Sequence, residues 1–106
     1  MPIPIYILDD RYEVTTHPHE MRMSLWVYAP VIVERATQRV ILDLSGSLWD
    51  LRRVAEGEGR IILTLARYPE GVREYVIEVD PIKSTVIVQG STYALAHIDT
   101  ALSAIG

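Results

Sequence analysis

Residues 39–68 read RVILDLSGSLWDLRRVAEGEGRIILTLARY, and the fold turns on how this stretch is taken. Arg39 to Leu44 and Arg60 to Tyr68 are strand-like runs on either side of a polar connection that carries one large aromatic, Trp49. Apolar runs of β-branched residues and leucines, bounded by Gly and Ser clusters, suit well-buried strands. The two runs are therefore expected in the middle of a sheet, with the rest of the chain built outward from them. Between Ser45 and Gly59 the period of two is lost. Trp49 to Ala55 is predicted as one or two helical turns, since Asp50 suits an N-terminal position and Gly57 a stop. Glu56-Gly57-Glu58-Gly59 reads as a loop.

Before this stretch, Ile3 to Leu8 is a short apolar run punctuated by Pro2 and Pro4, at best an edge strand because proline cannot donate to a ladder. Asp9-Asp10 signals a turn, and Tyr12 to Thr16 alternates as a second strand. His17-Pro18-His19-Glu20 reads as a break. From Met21 the alternation is cleaner, with Met21, Met23, Leu25 and Val27 on the expected core face and Arg22, Ser24, Trp26 and Tyr28 on the other. Trp26 is expected to pack under another element. Pro30 interrupts, and Val31 to Glu34 resumes extended. After the central stretch, Val72 to Val79 and Ser84 to Gln89 follow short turns, as in an antiparallel meander.

The period then changes. Leu95, Ile98, Leu102 and Ile105 recur at spacings of three, four and three, one apolar stripe of an amphipathic helix of about 12 residues. Ser91 or Thr92 would cap it and Gly106 would end it. A helix this short is marginal alone in water, so its stripe should dock on the sheet. The expected architecture is mainly β, a β-rich α+β domain. It has six to eight mostly antiparallel strands, sandwich-like or in a strongly bent sheet, with one C-terminal amphipathic helix packed on it.

A chain of 106 residues is expected to form a single domain over 1–106. Its balance of 49% hydrophobic and 23% charged residues argues against disorder. Cysteine is absent, which excludes disulfides and Cys-ligated metals and leaves the redox compartment open. The start, MPIPIYILDD, lacks the positive charge, long apolar core and cleavage site of a secretory signal. No apolar run approaches the roughly 20 residues of a membrane-spanning helix, so the expected location is the cytoplasm. A net charge of −4 with scattered arginines gives no electrostatic footprint for nucleic acid. Because nine of the ten basic residues are arginine, forked contacts with carboxylates inside the molecule are expected.

Candidate chemistry is sparse. His17 and His19, two apart, could share an ion if extended, with Glu20 or His97 as a third ligand, but two histidines are an incomplete zinc set and the expectation is no metal and no cofactor. Asp43, in the middle of an apolar run, must face water or find a donor such as Arg67 or Arg22. Asp43, Asp50 and His97 are the residues that would converge if a small-ligand, metal or catalytic pocket lay beside the Ser45–Gly59 connection. Ser45-Gly46-Ser47 lacks the glycine spacing of a nucleophile elbow and reads as a turn. Gly57 and Gly59 alternate with glutamates that would repel phosphate. No complete catalytic set is spelled out, so the chain is not expected to be an enzyme.

Two features favour binding. Glu70, Glu74, Glu78 and Asp80 face only Arg73 in residues 70–80, and Glu74 and Glu78 share one strand face, where exposed carboxylates would steer a basic protein partner. Trp49, in an irregular segment, is either a lid on the core or a contact anchor. The expected function is a small acidic protein-binding module, such as a cytosolic immunity or inhibitor protein that occludes a toxin or enzyme. The alternatives are a small-ligand or metal-binding β-domain and a structural subunit that dimerises through an edge strand.

Overall fold

A computed structural model of the chain describes residues 4–20, 26–68 and 73–105, with His19 described in its backbone only. Among these residues nine strands form two antiparallel sheets. The first is a meander of β1 (Ile5–Ile7), β2 (Tyr12–Glu20), β3 (Trp26–Glu34) and β4 (Arg39–Asp43). The second is a meander of β5 (Trp49–Gly57), β6 (Arg60–Arg67), β7 (Glu74–Asp80), β8 (Thr85–Val88) and β9 (Ser91–Ala94). A 3₁₀ turn, Leu95–His97, leads into the helix α1 (Ile98–Ser103). Every strand pairs with its sequence neighbour within its sheet, and the chain changes sheet once, over residues 44–48. The mainly β, sandwich-like architecture with a C-terminal helix is the one expected. No helix among the described residues is long and apolar enough to cross a membrane.

The register explains which side chains form the core. Val54, Leu63, Ile77 and Val88 lie opposite one another across β5, β6, β7 and β8. Ile61, Val79, Val86 and Tyr93 form a second row across β6 to β9. In the first sheet Val14, Ile32 and Leu42 are the matching row. These rows share one core, joined by Trp49 and by Ala101, Leu102 and Ile105 from the C-terminal segment. Cross-strand rows of this kind are the unit by which sheets are stabilised.

Turn chemistry sets the register. Glu58-Gly59 and Gln89-Gly90 are two-residue hairpin turns with positive φ at both positions, and glycine fills the second in each. Such turns match the twist of the strands they join. The four-residue turns 35–38 and 81–84 each end on one left-handed residue, Gln38 or Ser84. Asp80 accepts hydrogen bonds from the N–H groups of Ile82 at 3.1 Å and Lys83 at 3.0 Å, which fixes the second of them.

Several sequence expectations are corrected. The runs at Arg39 and Arg60 lie in different sheets, β4 at an edge of the first and β6 second in the other, because the connection between them is the crossing. Trp49 to Ala55 is strand, not helix. The register shifts between Leu51 and Arg53, a bulge at Arg52, so the inward positions 49, 51 and 54 are spaced two then three and their alternation is disguised. The expected loop at Glu56 shrinks to Glu58-Gly59.

Neither Pro18 nor Pro30 breaks its strand: β2 and β3 pair without a shift from Tyr12↔Glu34 to Glu20↔Trp26. Tyr28 sends its N–H away from β2, to Asp50. Its partner Pro18 is therefore in a pair that exchanges no ladder bonds and loses none by lacking a donor. Ser91 and Thr92, expected as helix caps, belong to β9, where the ladder with β8 fixes them as extended. Trp26 is 50% exposed rather than packed under the helix. Met21, Met23, Leu25 and Gly106 lie outside the described residues.

Leu63 is fully buried in the inner row, whereas Val76 on β7 is 53% exposed on the outer face. Leu63→Ala should cost about 2–5 kcal/mol through lost transfer energy and a residual cavity. Val76→Ala should stay within about 0.5 kcal/mol. Urea unfolding of the two variants checks the order; equal midpoints would contradict the assigned faces.

Candidate functional site

The acidic face of β7 alternates as expected: Glu74, Val76 and Glu78 point outward, while Ile77 and Val79 point into the core. The carboxylates are not free. Arg53 on β5 contacts Glu74 Oε1 at 2.7 Å, and Arg60 on β6 contacts Glu78 Oε1 at 3.2 Å. Register places Thr64 and Ala66 between Arg53 and Glu74, so this bridge passes over two small residues of β6, which are buried although they lie on the outer face. Pairs this exposed contribute about 0–1 kcal/mol. Asp80 is occupied with its own turn, and Glu70 lies outside the described residues. The row expected to steer a basic partner is thus largely a cross-strand set of ion pairs. The expected arginine–carboxylate pairing is present, and Arg39–Glu34 and Arg52–Asp50 add to it.

Trp49 is 6% exposed. Its ring meets Tyr75 edge-on at 5.8 Å, and the Arg67 guanidinium lies over it at 5.5 Å. It is a lid on the core, and the contact-anchor reading is corrected: β5 turns position 49 inward.

Asp50 accepts from the Tyr28 N–H at 2.8 Å and pairs with Arg52 Nε at 2.8 Å. It joins the first sheet to the second. Asp43 is exposed at the end of edge strand β4, and it finds Ser45 rather than the expected arginine. The Ser45 hydroxyl and N–H both donate to Asp43 Oδ1. The hydroxyl bond first, then the N–H bond, hold the Asp43 carboxyl below the usual aspartate range, with a small contribution from His17. His97 is exposed in the 3₁₀ turn. A recess lined by Ser47, Leu48, Trp49, Arg67 and Asp99 lies beside the Ser45–Gly59 connection, and neither Asp43, Asp50 nor His97 is in its lining.

His17 and Glu20 lie in β2 three positions apart, and the alternation of the strand directs them to opposite faces. Glu20 therefore does not share a face with His17. Among the described residues no three His, Asp or Glu side chains gather as metal ligands.

Two features escaped the sequence reading. At the far end of the β2–β3 hairpin, Trp26 and Tyr28 are 50% and 42% exposed on the same face as Pro18 and Glu20, which lie directly opposite them. This is the face that buries Val14 and Ile32 nearer the middle of the hairpin. At the other end, a recess of about 650 Å³ opens between the β1–β2 and β3–β4 turns. Tyr6, Glu13 and Val33 are aligned across β1, β2 and β3 on its floor. Only the strand register, which sequence does not supply, aligns those three residues.

No protein-family model, no curated protein and no solved structure matches this chain. What is defined is the class: two antiparallel meanders around one core, closed by a short helix.

Asp50→Ala leaves the Tyr28 N–H without its acceptor and should cost about 1–3 kcal/mol, whereas Asp50→Asn keeps an acceptor and should cost less. Chemical denaturation of both variants checks the difference. The lowered Asp43 pKa means that folding favours its ionised form. Its contribution is present above the unfolded aspartate pKa and fades as pH falls through the lowered value. Ser45→Ala should raise the Asp43 pKa towards the ordinary value in an NMR carboxyl titration; an unmoved titration would remove Ser45 as the cause.

Proposed function

We propose that this domain is a small acidic protein-binding module acting by surface complementarity. The observation that carries the reading is the exposed Trp26–Tyr28 pair on β3. Tryptophan and tyrosine dominate binding hot spots because each supplies a large, stiff contact area with a polar tip. Pro18 opposite Tyr28 adds a rigid neighbour, and the nine-pair β2–β3 ladder holds the aromatics in a fixed arrangement, which lowers the ordering cost of association. Glu20, opposite Trp26, and the net charge of −4 favour a basic protein over nucleic acid or an anionic membrane.

Within that class we favour an inhibitor, such as a cytoplasmic immunity protein that occludes a toxin or enzyme. Contact through the aromatic end replaces the β7 carboxylates as the centre of the interface, since Glu74 and Glu78 already have arginine partners. The competing readings are a ligand-binding domain and a homodimer formed through an edge strand.

The immobilised wild-type domain, a Trp26→Ser/Tyr28→Ser variant and a Glu74→Lys/Glu78→Lys variant are compared in capture from the native lysate. A stoichiometric protein retained by wild type and by the charge variant, and lost from the aromatic variant, is the expected result. Retention independent of Trp26 and Tyr28 would remove this surface from the interface. Sedimentation at several concentrations separates the homodimer: a concentration-dependent mass would favour it over a foreign partner.

A further inference from the structure

The recess at the β1–β2 and β3–β4 turns gathers two arginines that are not spent on carboxylates. Four arginines of this acidic chain, Arg39, Arg52, Arg53 and Arg60, lie against carboxylates. Arg11 and Arg35, both lining the recess, do not. Arg11 Nε donates to the Leu8 carbonyl at 3.1 Å, and Arg35 Nη1 donates to the Asp10 carbonyl at 2.9 Å. The Arg35 guanidinium also lies over the Tyr6 ring at 4.4 Å. The turns themselves are clipped together by the Arg35 N–H on the Arg11 carbonyl at 2.9 Å. Both guanidinium groups are thus fixed by the backbone, with their remaining N–H donors uncommitted among the described residues.

The floor carries the opposite charge. Glu13 is half-buried between Tyr6 and Val33, and it has no hydrogen bond or ion pair among the described residues. Glu34, also in the lining, is already engaged by the Thr37 hydroxyl. Leu8, Asp9 and Asp10, which hold the arginines' carbonyl anchors, are three consecutive non-glycine residues with positive φ. Such strain persists where the surroundings over-determine it, and it clusters at ligand clamps.

A half-buried carboxylate without a donor calls for a cation, and two oriented guanidinium forks call for a carboxylate. One small molecule supplies both. We propose that this recess binds a small zwitterion of the α-amino-acid type, its ammonium against Glu13 and its carboxylate against the free guanidinium nitrogens of Arg11 and Arg35. Val33 and Ala36 offer apolar contact for a side chain. The volume of about 650 Å³ is in the range of small-molecule sites and has room for a di- or tripeptide as well as a free amino acid. The site lies at the opposite end of the β2–β3 hairpin from Trp26 and Tyr28, about 25 Å away along the strands, so it stands or falls independently of the protein-binding reading.

The test is an amide-resolved NMR titration of the intact chain with each of the common amino acids at millimolar concentration. It is repeated for any binder with its N-acetyl form, its methyl ester and a dipeptide beginning with it. The expected result is saturable shifts at Tyr6, Glu13, Val33 and Arg35 with a zwitterion, lost in both blocked forms. The affinity should be weaker by about tenfold or more in Glu13→Gln and in Arg11→Gln. Free melting temperatures of those variants close to wild type would show that folding is intact. Tighter binding of the dipeptide supports the proposal with a peptide as the source, and tighter binding of the free amino acid supports it with a metabolite as the source. Equal binding of the acetylated form or of the ester would mean that only one charge is read and would overturn it. So would the absence of shifts with every amino acid and dipeptide.

Discussion

The molecule depends on how an unpaired half-strand is satisfied at the one crossing between its sheets. β4 pairs with β3 only from Val31 to Glu34, and the chain then leaves for the second sheet. Residues 26–30 of β3 are left without a ladder partner on that side, and backbone donors without partners are costly where they are buried. Two bonds close the gap. The Leu44 N–H reaches the Pro30 carbonyl at 3.0 Å, and the Asp50 carboxylate takes the Tyr28 N–H at 2.8 Å. Pro30 falls where its missing N–H would have pointed to the same open side, so proline there removes a donor that has no strand to receive it. One side-chain carboxylate thus stands in for a strand.

That arrangement explains which parts of the fold were legible in the sequence. The β character, the antiparallel connections and the docking helix stripe follow from local period and from turn chemistry, both carried by neighbouring residues. Ile61, Leu63 and Leu65 advertise their face without any knowledge of partners. Assignment of β4 and β6 to one sheet failed because apolarity reports burial and not the neighbour. Trp49, Leu51 and Val54 were misread for a sharper reason: one extra residue at Arg52 converts a period of two into a two-then-three spacing that resembles a helix. Pro18 and Pro30 were read as breaks because the tolerance of a strand for proline depends on which way each N–H points, a property of pairing and not of composition.

The candidate sites were less legible, and for related reasons. The carboxylates of β7 stand out in one dimension because Glu74 and Glu78 alternate within their own strand. Their arginines come from β5 and β6, residues distant enough that pairing could be expected in general and not assigned. Tyr6, Glu13 and Val33 are unremarkable in sequence and form one row only when β1, β2 and β3 are in register. The exposure of Trp26 and Tyr28 depends on where the core ends beneath β3, which no local pattern reports.

Most of the ion pairs lie on the second sheet, and only Arg39–Glu34 lies on the first among the described residues. On the second sheet, long arginines cross small residues to reach carboxylates one or two strands away, and the result is a neutralised surface worth little in stability. At the turns of the first sheet Arg39 meets Glu34, but the Arg11 and Arg35 guanidinium groups are spent on backbone carbonyls, which neutralise no charge and leave donors over. That difference follows from the backbone. In the left-handed run Leu8, Asp9 and Asp10 the first and third carbonyls face the arginines, and the Arg35–Tyr6 stack holds the second guanidinium over the aromatic floor. Glu13, directly beside Tyr6 in the ladder, is thereby left half-buried and unpaired although a cation spans the same recess. A half-buried carboxylate with no donor of the described chain beside it has room for a cation, because burial favours a charge only when it is paired.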